Sequence, residues 1–211
     1  MRTMTDYVLT SIKQTKKGRY ALFCDDEFLF SVDEEVLLKH DLHPGRALSA
    51  EDIEELKQET DYYRAKQKAY RLLTMRDHSE KELLDKLKKD FDEPTAVSVV
   101  EKLRDLELLD DMNYAENYYM ELVRKGNSGL EIRQKMSQRG IDRETVDLLM
   151  EGNAYDEESV VVELVNKKYL TKLSAENGAL KVMQALLRKG FSMSAVRKAL
   201  QKITGDDTVW M

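Results

Sequence analysis

The amino-acid sequence predicts a mostly α protein: three tandem three-helix repeats forming an elongated solenoid, preceded by a small N-terminal β-rich module. Three observations carry this. Beyond residue 60 a pattern of helix caps and apolar residues recurs at a period of 49–50 residues. Strand-like runs are confined to the first 48 residues. Only 2 prolines interrupt 211 residues, of which 35% are charged and 42% hydrophobic, a composition suited to helices with one wet and one buried face.

Residues 1–48 form the β-rich module. Tyr7 to Ile12 is a β-branched run, and Tyr20 to Cys24 and Phe28 to Val32 flank a hairpin turn at Asp25-Asp26-Glu27. Glu34 to Lys39 reads as a short helix stopped near His43-Pro44-Gly45. Ser49 with Asp52 three residues on is a helix-start signal, and nothing breaks the helix from there to Arg76. The repeats are expected to stack on one another and not on the module, so removing residues 1–48 should leave a folded helical core.

The repeats fall at 49–107, 108–152 and 153–211. Ser79-Glu-Lys-Glu82-Leu83 and Ser128-Gly-Leu-Glu131-Ile132 are capping boxes 49 residues apart. Gly178-Ala-Leu-Lys181-Val182 follows 50 further on, with the box lost and the apolar pattern kept. Arg139-Gly140-Ile141-Asp142 and Lys189-Gly190-Phe191-Ser192 lie in register, glycine ending one helix and Asp or Ser capping the next. In repeat one Asp90-Phe91 replaces the glycine turn, and Pro94 sits where the first turn of a helix tolerates it. Ala115, Tyr118, Tyr119, Leu122 and Val123 give an amphipathic stripe at helical spacing, which is core.

Charge is segregated under a net of −6. Residues 1–60 hold 8 basic and 13 acidic side chains, residues 144–163 hold 7 acidic and no basic, and residues 164–202 hold 9 basic and 1 acidic. The total argues against a general nucleic-acid coat, whose affinity needs a basic surface. A lone cysteine, Cys24, and the lack of a continuous apolar core in Met1 to Ile12 or of any membrane-length apolar run point to a cytoplasmic protein with no membrane partner.

No active site assembles. Gly126-Asn-Ser-Gly129 lacks the Lys-Ser/Thr pair of a phosphate loop and reads as a helix stop followed by a cap. His40, His43 and Cys24 match no zinc spacing, and Asp110-Asp111 precedes a helix as caps do. No enzyme, cofactor or metal is expected. Two helices around Gln138 to Asp142 resemble a helix-turn-helix, which keeps a DNA-binding regulator open as an alternative, beside a generic helical scaffold. The second helix there carries Glu144, Asp147 and Glu151 against Arg143, whereas its counterpart carries Arg197, Lys198 and Lys202 with no acid. The partner-binding candidates are the cations of repeats two and three: Arg124, Lys125, Arg133, Lys135, Arg139, Arg188, Lys189, Arg197, Lys198 and Lys202.

Arg76-Asp-His-Ser-Glu-Lys-Glu-Leu83, Lys86-Leu87, Leu108-Leu-Asp-Asp111 with Tyr114-Ala115, Gly126 to Met136 and Arg139-Gly-Ile-Asp142 together resemble the RecX family, in order and spacing, over about residues 69–200. The N-terminal module lies outside this resemblance, as an accessory of some members, and repeat three matches in pattern more than in motif. The resemblance implies three tandem three-helix units and a bacterial regulator of DNA recombination, repair and the SOS response. Its partners would be the RecA protein and the RecA-DNA filament, which it would inhibit, with a weak DNA contact at most. It implies a monomer acting by binding, with no catalytic residue to carry over.

Overall fold

The computed structural model describes residues 7–153 and 155–205. Residues 1–6, 154 and 206–211 lie outside the described residues, and part of the Met1 to Ile12 segment read for an apolar core falls among them.

Four antiparallel strands, β1 (Tyr7–Gln14), β2 (Tyr20–Cys24), β3 (Glu27–Val32) and β4 (Ala47–Leu48), form one sheet in the order β3-β2-β1-β4. Asp25 and Asp26 make the β2–β3 turn with φ of 49° and 64°, the left-handed pair that a two-residue hairpin needs and that aspartate tolerates. A bulge at Thr10 keeps both Leu9 and Ile12 facing inward. The short helix α1 (Glu34–Lys39) closes over the sheet through Val36.

Helix α2 (Ala50–Met75) starts at the Ser49–Asp52 capping box. Its first turns revise the expectation that the module is separable. Ile53 and Leu56 are buried with Leu9, Leu22, Val32, Val36 and Leu48 in one apolar cluster. Burying two such side chains is worth roughly 3–6 kcal/mol, and deletion of residues 1–48 would expose both. Sequence periodicity identified the α2 stripe but not which surface covers it.

Further along, Ala65 and Ala69 let α2 pack closely on α4 (Glu93–Asp105), whose Ala96, Val99, Val100 and Leu103 are buried. Asp92 caps α4, and Lys68 on α2 hydrogen-bonds Asp90 and the Lys86 carbonyl, both at 2.6 Å, where the other repeats use glycine. Between them in the chain comes α3 (Glu80–Leu87), with Leu83 and Leu87 buried.

The second repeat comprises α5 (Asp111–Arg124), α6 (Gly129–Gln138) and α7 (Arg143–Gly152), capped by Asp110, Ser128 and Asp142. The third comprises α8 (Glu157–Lys168), α10 (Gly178–Arg188) and α11 (Met193–Thr204), with a short extra helix, α9 (Leu170–Leu173), packed between α8 and α10. Asn177 opens α10 without a side-chain cap, as the lost capping box implied. Tyr155 and Val123 pack against the cores of both repeats two and three, so the two repeats stack. The chain divides into two compact units, residues 1–77 with 83–108, and residues 78–82 with 109–211. No helix of the described residues is long and apolar enough to cross a membrane.

Candidate partner-binding surface

The cations of the second compact unit divide by what the fold does with them. Its caps explain the division. Ser79 accepts a hydrogen bond from the Glu82 backbone N–H, as a helix start requires, and its hydroxyl donates at 2.6 Å to the carbonyl of Arg139 at the end of α6. One period later Ser128 accepts from Glu131 and donates at 2.6 Å to the carbonyl of Lys189 at the end of α10. One serine thus satisfies a free N–H at the start of one helix and a free carbonyl at the end of another.

Each clasp has the same three parts: a capping serine, a glutamate one turn on, and a cation-glycine pair that docks on them. In the first, Arg139 donates to Glu82 and, at 3.1 Å, to the Tyr114 hydroxyl, which itself donates to Glu82 at 2.8 Å. The guanidinium also lies 5.0 Å from the Tyr118 ring centre. Burial, and then the hydrogen bond to Glu82, pushes the Tyr114 phenol up to about 12. In the second clasp Lys189 stands 3.5 Å from Glu131. Gly140 and Gly190 sit at φ of 86° and 84°, left-handed turns in which a Cβ would lie 2.6 Å from the Lys81 Cβ and 3.0 Å from the Leu130 Cβ.

Arg139 and Lys189 are therefore half-buried in joints. Of the other candidates, Lys125 pairs with Glu121 one turn back, and Lys135 donates to the side chain of buried Asn127. Arg133 reaches across from α6 to Asp147 on α7 at 2.8 Å, and Lys202 stands 3.9 Å from Glu158. The hydrogen bond from Arg133, helped by Arg143, holds the Asp147 carboxyl below the usual carboxylate range. Arg124, Arg188, Arg197 and Lys198 are exposed and form no ion pair among the described residues. Arg188 ends α10 and the pair Arg197-Lys198 lies on α11, which α10 packs against.

Sequence reasoning missed Tyr114, Tyr118 and Glu82 as members of one cluster. Its signal was present: the serine-glutamate caps and the cation-glycine turns each recur after 49–50 residues, so the distance from one to the other is conserved at about 60. Among the described residues no group of three or more His, Cys, Asp and Glu side chains could hold a metal.

Residues 7–49 match the family model for the regulatory protein RecX N-terminal domain, and residues 65–103 match the model for the RecX first three-helix domain. The regulatory protein RecX of Listeria innocua serovar 6a is 32% identical over 204 residues, which cover 93% of this chain and 75% of the relative. The chain belongs to the RecX family. The regulatory protein RecX of Staphylococcus aureus strain JH9 is 31% identical over 205 residues, covering 94% of this chain and 75% of the relative. A crystal structure of regulatory protein RecX superposes with a TM-score of 0.64 at 25% identity, covering 92% of this chain and 99% of the other. The RecX of Lactobacillus salivarius gives 0.59 at 26% identity, over 69% of this chain and 98% of its own. The resemblance thus extends beyond residues 69–200 to the N-terminal module, which matches a RecX domain model of its own.

Proposed function

We propose that this protein binds the RecA recombinase on its DNA filament and inhibits it, so regulating recombination, repair and the SOS response from the cytoplasm. It acts as a monomer and by binding rather than by turnover. The observation that carries this reading is family membership together with four exposed cations, Arg124, Arg188, Arg197 and Lys198, left without an ion-pair partner where six others are engaged. Unpaired surface cations attract an acidic or phosphate-bearing partner over a Debye length at no cost to folding. The repeats of 49–107, 108–152 and 153–211 would supply successive contact surfaces, with repeat three the main one. DNA contact by repeat three is weak and secondary.

The direct assay is DNA-stimulated ATP hydrolysis by RecA. Adding this protein should lower the rate at substoichiometric to equimolar amounts, while the protein alone hydrolyses nothing. An unchanged RecA rate, together with tight salt-sensitive binding to bare duplex DNA, would favour the helix-turn-helix regulator instead.

A further inference from the structure

We infer a single-stranded nucleic-acid site in the N-terminal unit, in the cleft between edge strand β3 and helix α2, with Phe28 as its stacking platform. The cleft is lined by Arg19, Phe28, Phe30, Lys57, Asp61 and Arg64. Phe28 is 60% exposed on the outermost strand of the sheet, an unusual place for a large ring. Among the described residues its ring partner is Phe23, edge to face with centroids 5.9 Å apart, which leaves ring surface open to a planar group. One cation of the cleft lies over one of its rings, and two more cation–ring pairs use rings outside the lining. Lys57 Nζ lies 5.9 Å from the Phe30 ring centre, Lys13 Nζ 4.7 Å from Phe23, and Arg64 Cζ 5.5 Å from Phe91. Lys13 and Lys57 have no carboxylate partner among the described residues, while Arg64 pairs with Asp61 at 2.8 Å and Arg19 stands 3.7 Å from Asp33.

Lys57 is the unpaired cation of the lining among the described residues, since Arg19 and Arg64 are shared with Asp33 and Asp61. Residues 1–60 hold 13 acidic side chains to 8 basic, yet the cleft lining holds three cations to one carboxylate. Exposed rings flanked by lysine and arginine are how sequence-tolerant single-strand binders work: bases stack on the rings and phosphates meet the cations. The acidic turn Asp25 to Glu27 closes one end, so the backbone of a bound strand would run from Phe28 toward Lys57 and Arg64. A duplex keeps its bases stacked inside and offers Phe28 nothing. An acidic peptide would use the cations and leave the exposed ring without purpose.

This stands independently of the RecA reading, and its test needs no RecA. A fluorescein-labelled 20-nucleotide oligo-dT is titrated with the full chain and followed by anisotropy at low salt. Phe28→Ala should weaken binding roughly five- to a hundredfold, the loss of one stacked base, and Lys57→Glu should flatten the salt dependence by about 0.7 in log–log slope per lost phosphate contact. Both residues are exposed, and circular dichroism melts verify that the variants fold. An oligonucleotide carrying 5-iodouracil should photocrosslink to the peptide that contains Phe28. Absent binding, equal affinity of the folded variants, or crosslinks only in residues 164–202 would overturn the site. So would an oligoglutamate that competes equally against wild type and Phe28→Ala, because the cleft would then read charge alone.

Discussion

The turn that docks on the start of α3 and the turn that docks on the start of α6 share one plan and differ in their cation. Arg139 spreads its charge over Glu82, the Tyr114 hydroxyl and the face of Tyr118, whereas Lys189 meets Glu131 alone across 3.5 Å. The serine-to-carbonyl hydrogen bond is the same length, 2.6 Å, in both. The backbone part of the joint is thus fixed by the repeat, and the side-chain part is where its strength is set. A planar guanidinium can satisfy several acceptors at once and stack, while an ammonium acts as a point charge.

Breaking the backbone part should cost most. Gly140→Ala and Gly190→Ala each force a left-handed conformation worth about 1–2 kcal/mol and a displaced neighbour worth a further 1–3 kcal/mol. The loss should be larger at Gly140, where the Cβ meets the Lys81 Cβ at 2.6 Å rather than 3.0 Å. Urea midpoints of the full chain check the order. Equal, negligible losses would mean that the turns shift freely.

Altering the cation comes next. Arg139→Lys should cost about 1–3 kcal/mol, because Tyr114 and Glu82 lose a shared donor and Tyr118 its stacked partner. Lys189→Ala should cost no more than about 1 kcal/mol. A larger loss at Lys189 would reverse the comparison.

At neutral pH the smallest effect is that of the Tyr114 phenol, which shows only on going alkaline. The Tyr114 phenol is raised to about 12 in the folded protein, so the fold favours its protonated form. That contribution is complete below the ordinary tyrosine value near 10 and is lost as pH rises toward 12. Stability measured from pH 9 to 12 should therefore fall more steeply in wild type than in Tyr114→Phe. Parallel curves would mean that Tyr114 titrates as an ordinary tyrosine.

How much of this was legible in the sequence follows from the range of each interaction. The caps Ser49, Ser128, Asp142 and Ser192 act within three residues, and their signatures can be read from neighbours alone. Helix α9 is a single turn, too short to show a period, and the two residues of β4 are strand only because β1 lies beside them. The burial of Ile53 and Leu56 under the sheet depends on residues far back in the chain, so the apolar stripe was visible and its cover was not. The candidate cations are a similar case. Composition marks residues 164–202 as basic, but only the structure separates Lys189, held by Glu131, from Arg197 and Lys198, held by nothing among the described residues.

On the proposed function, the clasped cations serve the fold and the free cations serve the partner. The measurement that tests it most directly pairs RecA inhibition with thermal unfolding for two variants. Arg188→Glu/Arg197→Glu/Lys198→Glu should keep the wild-type unfolding temperature and inhibit RecA ATP hydrolysis roughly tenfold more weakly at low salt, since exposed charges act at about 0.2–1 kcal/mol each. Arg139→Lys should unfold earlier and, at a temperature where it is folded, inhibit as wild type does. If the triple variant inhibits as well as wild type, the free cations are a solvated face; if Arg139→Lys loses inhibition while folded, the clasp itself is part of the binding surface.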